Sequence, residues 1–326
     1  MTEATHIPDS LIWYADDQPG IRRKRAGRGF SYVAPDGTRI DQRSERARIE
    51  ALAVPPAYED VWISPRPNGH LQATGYDART RKQYRYHPDY SAFRARTKFD
   101  DLARFGAHLP VIRRRVHAAL TEARGDEEFA IAAALRLMDR ASLRVGTPDY
   151  ATDNQTYGAT TLRARHLRLD GNLIRLDYTA KGGQRVRKRF NDRTLMRALE
   201  KMDDLPGGAL MQYEDANGTL RQLGPEQVNR WLRGITDQDG LTAKTFRTWN
   251  GSATALDTVL RSETPVTITQ MAEAAAKALH NTATIARNSY IHPDVIALAG
   301  SDEKLDVPDT PTGLRQSERA LLALLT

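Results

Sequence analysis

The chain predicts an α+β fold with two regions: a small β-rich one to about residue 90, then a larger, mainly helical one carrying one three-stranded β-hairpin sheet. Three observations predict it. Before residue 90, apolar and polar residues alternate in short runs broken by turns, the period of half-buried strands. From residue 91, apolar positions recur every three to four residues, as in Phe105, Leu109, Ile112, Val116 and Leu120, which is the helical period. Within the helical region a single island alternates again, with the strong hairpin signal Asp170-Gly171 at its centre. At 326 residues two domains are a better expectation than one.

In chain order, residues 1–20 hold Pro8, Pro19, Gly20 and several acids and read as a loosely held, flexible arm. The β-rich domain spans 21–90. It opens on the basic run Arg22-Arg23-Lys24-Arg25, and Phe30 to Ile40 reads as a hairpin around Pro35-Asp36-Gly37. A helix follows over 43–53, then strands at 61–64 and 71–76, a turn at 77–80, a strand over 82–87 and a linker starting at His87-Pro88-Asp89. The helical domain spans 91–300, with helices at 91–106, 109–123 and 127–143, the last N-capped by Asp126. The island runs 165–169, 173–178 and 185–190, with Lys181 at its second, Gly182-Gly183 turn. Helices resume at 192–203, 225–234, 243–260, 267–280 and 282–290. The tail, 301–326, is polar and Pro-bearing to Asp309 and ends in a short helix over 314–325.

A hydrophobic share of 40% is enough for a real core. Lys and Arg number 48 against 41 Asp and Glu, a net +7 that favours a polyanionic partner. With no cysteine there is no disulfide frame, no thiol nucleophile and no zinc knuckle, which fits a reducing compartment. The first residues lack a basic segment followed by an apolar one, and no apolar run approaches the ~20 residues that span a bilayer. A soluble cytoplasmic protein without a membrane partner is expected. Gly-rich phosphate loops, His-Glu-x-x-His and Gly-x-Ser-x-Gly are all missing, and Asp139, Asp149 and Asp153 have no metal-site spacing.

The chemistry-bearing residues are cations and one late tyrosine. Tyr290 ends a helical run of small residues before Ile291-His292-Pro293. A phenol is a poor nucleophile at neutral pH, with an ordinary pKa near ~10, so it needs cationic neighbours or a base. Arg144 follows an apolar helix and precedes Gly146; Arg247 lies on a helix of small residues. A guanidinium fork can hold two non-bridging phosphate oxygens and stay ionised while charge builds up. Lys181 at its Gly-flanked turn can reach a nucleic-acid backbone and protonate a leaving oxygen. Each of these residues has an ordinary reading too: a wet phenol at a helix end, arginines in surface ion pairs, an exposed turn lysine. In Gln83-Tyr84-Arg85-Tyr86, polar-aromatic and basic residues alternate, as suits phosphates and base edges; an edge strand with exposed aromatics accounts for it equally well.

Taken together, these residues resemble the type IB DNA topoisomerases of the compact poxvirus and bacterial kind, over about residues 20–295. Ser142-Leu143-Arg144-Val145-Gly146 looks like the segment of the family's first catalytic arginine, and Lys181 falls on its β-hairpin lysine. Lys244-Thr245-Phe246-Arg247-Thr248 resembles its Lys-x-x-Arg-Thr signature, and Ser289-Tyr290 its nucleophile. Val54 to Val61 and Arg81 to His87 are similar to two stretches of its N-terminal DNA clamp. One position departs: nine residues before the tyrosine, where the family usually has histidine, stands Asn281, with His280 one place earlier. An asparagine amide donates the same kind of bond without charge, whereas His280 lies about 100° away if the segment is helical.

The resemblance implies a C-clamp around duplex DNA and a catalytic set of Tyr290, Arg144, Lys181, Arg247 and Asn281. It implies DNA contacts from Lys244, Arg81, Gln83, Tyr84 and Tyr86. The implied reaction is transient cleavage of one strand through a 3′-phosphotyrosyl bond, with no ATP, metal or other cofactor, by a monomer acting at the nucleoid. Two other readings compete. A tyrosine recombinase shares the chemistry but usually carries His-x-x-Arg and a helical N-terminal domain. A DNA-binding protein with a vestigial site draws support from Asn281, but has little reason to keep Arg, hairpin Lys, Lys-x-x-Arg and Tyr in order.

Overall fold

The computed structural model describes residues 7–78, 80–122, 124–237, 240–302 and 305–326. Several sequence readings therefore fall outside the described residues: the first six residues of the arm, Arg79 in the 77–80 turn, Ala123, and Glu303 and Lys304 in the tail. The chain divides into two compact units, Met1–Asp100 and Asp101–Thr326. The first is a five-stranded antiparallel sheet with short helices, and the second is mainly helical with two small sheets, an α+β architecture.

In the first unit, β1 (Ile21–Ala26), β2 (Gly29–Val33), β3 (Glu59–Ile63), β4 (Leu71–Tyr76) and β5 (Lys82–Tyr86) lie in the order β2-β1-β3-β4-β5. Helix α1 (Arg43–Ala51) packs Ile49 into a core of Ile21, Tyr32, Val61, Ile63 and Ala73. One expectation needs correction. The hairpin closes at Gly27, φ +58°, because Phe30 pairs back onto Arg25; Pro35-Asp36-Gly37 makes a separate tight turn, held by the Thr38 amide donating to Asp36. Within the basic run, Arg23 is structural, donating to the carbonyls of Val54, Pro55 and Tyr58 at 3.1, 3.0 and 2.7 Å.

Residues 7–20, expected as a loose arm, are pinned to the sheet. Leu11 is buried, Ile12 bridges Gly69, Trp13 lies flat on His70 at 3.8 Å, and Trp62 donates its indole N–H to the Gln18 carbonyl. Apolar residues 11–14 supply what the prolines and acids obscured. His87-Pro88-Asp89 is likewise no linker. It opens α2 (Pro88–Arg96), with Pro88 in the first turn and the His87 ring capping the Asp89 amide, so the first unit runs on to Asp100.

The second unit begins with α3 (Leu102–Glu122), one continuous helix where two were expected to meet near Pro110. Its apolar stripe, Phe105, Leu109, Ile112, Val116 and Leu120, is buried on both sides of the proline, and that burial outweighs the lost backbone bond. Gly106 matters here: a Cβ would stand 2.3 Å from the Trp249 ring. α4 (Glu127–Ala141) starts on the expected cap, Asp126 accepting from the Phe129 amide, and ends at Ser142 in the left-handed region. A short α5 (Pro148–Asp153) precedes the three-stranded sheet β6 (Leu167–Asp170), β7 (Leu173–Ala180) and β8 (Gln184–Asn191), whose second turn is Lys181-Gly182-Gly183.

Next come α6 (Arg193–Asp203) and an unforeseen hairpin, β9 (Gln212–Glu214) with β10 (Leu220–Gln222). The Asn217-Gly218 between these strands was the available signal. The unit closes with α7 (Pro225–Thr236), α8 (Thr245–Arg261), α9 (Ile268–Leu279), α10 (Ala283–Tyr290), α11 (Pro293–Ala297) and α12 (Gln316–Leu325). No helix among the described residues is long and apolar enough to cross a membrane.

α12 is locked to the unit by a buried ionic network. Glu318, 0% exposed, accepts from both terminal nitrogens of Arg113 at 2.8 Å, from Arg315, and from the Trp249 indole at 3.3 Å. Arg113 is also bidentate to Asp139. Burial alone would raise the Glu318 pKa; Arg113 and Arg315 overcome it and hold it down at about 2. A carboxylate depressed in the folded state stabilises above its unfolded pKa, and that stability is lost as pH falls from about 4.5 toward 2. Glu318→Ala is expected to cost about 3 kcal/mol at pH 7, since one partner of a buried set is removed. Urea unfolding at pH 7 and at pH 3 checks this: the gap from wild type should narrow at the lower pH, and an equal gap at both would contradict the charge argument.

Candidate active site

The helix ends of the second unit converge on one cluster of cations. Arg144 follows Ser142 at the end of α4, in extended chain rather than on the helix itself. That chain is fixed by the loop after α5: Ala159 donates its amide to the Arg144 carbonyl and Thr160 to the Val145 carbonyl, both at 2.7 Å. Gly146, φ +91°, and Gly158 allow this approach, because a Cβ on Gly158 would sit 2.6 Å from the Arg144 carbonyl oxygen. The loose α4 end is held by Asn250 of α8, which donates to the Met138 and Asp139 carbonyls and the Ser142 hydroxyl.

Arg247 sits in the first turn of α8 and is 3% exposed. It donates to the Ser142 carbonyl and, at 2.9 Å, to the Leu279 carbonyl, joining the ends of α4 and α9. Its Nε is buried without a partner among the described residues, and its guanidinium carbon lies 5.0 Å from the centre of the Tyr290 ring. Burial, then Arg144, lower the Arg247 pKa from its ordinary value; Tyr290 and Tyr178 oppose that.

Tyr290, half-buried, ends α10 directly against α8. Burial raises the phenol; Arg247, by charge and by hydrogen bond, together with Arg144 and Lys244, outweighs it and leaves the phenol below its ordinary pKa. This is the direction that activates a phenolic nucleophile. The helices meet this closely because residue 251 is glycine: a Cβ there would stand 2.6 Å from the Tyr290 carbonyl oxygen and 3.0 Å from its Cβ. Ser252 donates to the same carbonyl at 3.2 Å and accepts from the His292 amide at 2.9 Å. Gly251→Ala is therefore expected to push Tyr290 off α8 and weaken the hold of Arg247 on its phenol. Titration of the Tyr290 phenol, measured beside the melting temperature, checks it: the phenol should move up in the folded variant, and an unchanged titration would mean the contact does not set Tyr290.

Asn281 and His280 form the corner between α9 and α10, so the helical angle expected between them does not apply. His280 is the left-handed cap of α9, φ 49°. Burial, then Lys188, Arg247 and Arg144, push its imidazole down to about 4, so it is neutral at pH 7. The Asn281 Oδ1 accepts from Arg144 Nη2 at 2.7 Å, while its Nδ2 is buried without a partner among the described residues. The amide thus has its acceptor engaged and its donor free.

The other sequence-derived residues stand apart from this cluster. Lys244 is exposed at the start of α8 and acts on Tyr290 through its charge. Lys181 is exposed on the β7–β8 turn, its ammonium 5.3 Å from the centre of the Tyr150 ring. In the first unit, Tyr84 and Tyr86 on the edge strand β5 are exposed and stack at 6.1 Å, while Arg81 and Gln83 both bond to Asp77. Sequence reading passed over Lys188 on β8, which donates to the Ala278 carbonyl at 2.7 Å. Its signal was there: in Val186-Arg187-Lys188 the period of two puts Lys188 on the face of buried Val186.

The charges acting most strongly on Tyr290 are Arg247, then Arg144 and Lys244. Arg144 and Arg247, with the free amide N–H of Asn281 beside them, form a ready site for a phosphate.

Residues 88–291 match the family model described as the eukaryotic DNA topoisomerase I catalytic core, and residues 29–77 match the bacterial DNA topoisomerase IB N-terminal domain. The chain is similar to DNA topoisomerase 1B of Acanthamoeba polyphaga mimivirus, 26% identical over 286 residues, covering 83% of this chain and 85% of that protein. It is also 27% identical over 177 residues to DNA topoisomerase 1 of Mycosarcoma maydis, covering 49% of this chain and 17% of that protein.

Proposed function

From the premise that the chain belongs to the DNA topoisomerase I family and is a type IB DNA topoisomerase, we propose that Tyr290 is its nucleophile and that Arg144, Arg247, Asn281 and Lys181 complete the site. The observation that carries this assignment is the Tyr290 ring 5.0 Å from the guanidinium carbon of buried Arg247, beside an Arg144–Asn281 pair whose amide N–H is free among the described residues.

The Tyr290 phenol, lowered by its cationic neighbours, gives its proton to solvent, and the phenolate oxygen attacks the scissile phosphorus of one strand of duplex DNA. The bond from phosphorus to the 5′-oxygen breaks, a 3′-phosphotyrosyl bond forms, and the 5′-oxygen leaves as a hydroxyl after taking a proton from Lys181. Arg144 and Arg247 bind the non-bridging oxygens as charge develops on them, and Asn281 donates its free N–H to one of them. To reach the leaving oxygen, Lys181 quits the Tyr150 ring when the β7–β8 turn closes on the backbone. Lys244 adds charge near the phosphate. The phosphotyrosyl bond conserves the energy of the phosphodiester, so the 5′-hydroxyl reseals the strand by the reverse reaction without ATP.

Asn281 is preferred to His280 in the fifth position because its donor is free and its acceptor is fixed by Arg144. In the first unit, exposed Tyr84 and Tyr86, with Gln83 and Arg81, suit contacts with base edges and phosphates. The two units would form a C-clamp around the duplex, as a monomer, at the nucleoid. The test is covalent trapping: denaturant quench of the protein on duplex DNA should yield a DNA adduct whose peptide contains Tyr290. An adduct mapped to another residue would overturn the assignment.

A further inference from the structure

Lys188 is absent from every role assigned above, yet its placement is specific. It sits on β8, the strand leaving the turn that carries Lys181, and its ammonium crosses to the C-terminal end of α9. The carbonyls there have no partners within the helix and carry the negative end of its dipole. Three of the last four have partners of their own. Ala276 accepts from the His280 and Asn281 amides, Ala278 from Lys188 Nζ at 2.7 Å, and Leu279 from Arg247 Nη2 at 2.9 Å. Asn281 follows immediately. The helix end that aims its amide is therefore held between two cations, one from α8 and one from the hairpin.

We propose that Lys188 is a positioning residue for strand cleavage: it holds the α9 terminus so that Asn281 meets the phosphate, and ties that terminus to the strand bearing Lys181. The inference rests on the assignment of Asn281 above. Burial, then Arg247, bring the Lys188 pKa down to about 8, so its charge changes near neutrality. The groups facing it are Arg247, Asp257 and Arg261 of α8, Lys277 of α9 and His280; Arg187 and Arg189 flank it on β8. All of these but Arg247 line an open groove of about 870 Å³, through which solvent protons reach the ammonium. Asp257 is already paired with Arg261 at 2.7 Å. Above pH 8 the bond to Ala278 loses its charge assistance and should weaken.

The test is a double-mutant cycle on the full chain, reading single-turnover cleavage of a duplex oligonucleotide at saturating protein. Lys188→Met should cleave about 10- to 100-fold more slowly, the range for one charge-assisted hydrogen bond. Its affinity for the duplex should stay within about 2-fold, because no phosphate contact is lost. Lys188→Arg should recover most of the rate, and the deficit of Lys188→Met should shrink as pH rises through 8. Because Lys188 acts through Asn281, combining Lys188→Met with Asn281→Ala should be no slower than Asn281→Ala alone.

Fully additive losses would overturn the proposal. So would a normal rate for Lys188→Met, or a deficit that appears only as weaker, less salt-dependent binding. A deficit unchanged with pH and not recovered by arginine would reduce Lys188 to a packing role, and the proposal would fall. Asn281→Ala keeps the two readings separate: if it cleaves normally, the assignment of Asn281 fails first; if it is slow while Lys188→Met is normal, only this inference fails.

Discussion

Tyr290→Phe is expected to leave negatively supercoiled plasmid unrelaxed under conditions, EDTA present and ATP omitted, where the intact protein relaxes it. The loss should be at least about 10⁴-fold, because the attacking oxygen itself is removed and nothing near it can substitute. Tyr290 is held by its backbone, through Ser252 and against Gly251, so the ring can lose its hydroxyl with little rearrangement. Duplex binding and melting temperature should therefore stay near those of the intact protein. If the variant still relaxes plasmid, another residue is the nucleophile; if the intact protein fails in EDTA, the site is not a self-sufficient cation cluster.

Arg247→Ala should have the next largest effect, a fall in cleavage rate of about 10³-fold or more. One preorganised donor to a developing oxyanion contributes about 10²- to 10³-fold. Arg247 does more than that, since it also bonds the Ser142 and Leu279 carbonyls that fix the chain before Arg144 and Asn281. Its removal also takes away the main charge that lowers the Tyr290 phenol. Loss of that charge should move the rising limb of the cleavage pH profile to higher pH, a readout simple loosening would not give. Arg247→Lys should restore little, because one ammonium cannot span two carbonyls and a phosphate. Cleavage within about 10-fold of normal in Arg247→Ala would exclude it from the transition state.

Much of the proposed site was legible in the sequence because the chemistry read there depends on residue type. Such a phosphate site needs fixed cations and one nucleophile, and Arg144, Lys244-Thr245-Phe246-Arg247 and Tyr290 are the residues proposed for it, each in a recognisable local context. Helix and strand periods were legible for the same reason, since each is set by neighbours in the chain. Errors came where distant contacts overrule local preference. Pro110 stays inside α3 because the buried stripe is continuous across it, and residues 7–20 are held because Trp62 and His70 receive them. The Gly27 hairpin was hidden by a stronger turn signal eight residues on, at Pro35-Asp36-Gly37.

By itself, then, the sequence determined the α+β class, the hairpin that presents Lys181, the arginines and the late tyrosine, since local period and side-chain chemistry are written residue by residue. Only the tertiary structure decided that the Asn281 amide keeps its donor free, how Arg247 joins two helix ends, and that Lys188 reaches the α9 carbonyls. Those facts depend on hydrogen bonds between residues 32 to 137 positions apart. Such partners are chosen by packing, through Gly251 and Gly158 among others, and no local pattern along the chain encodes them.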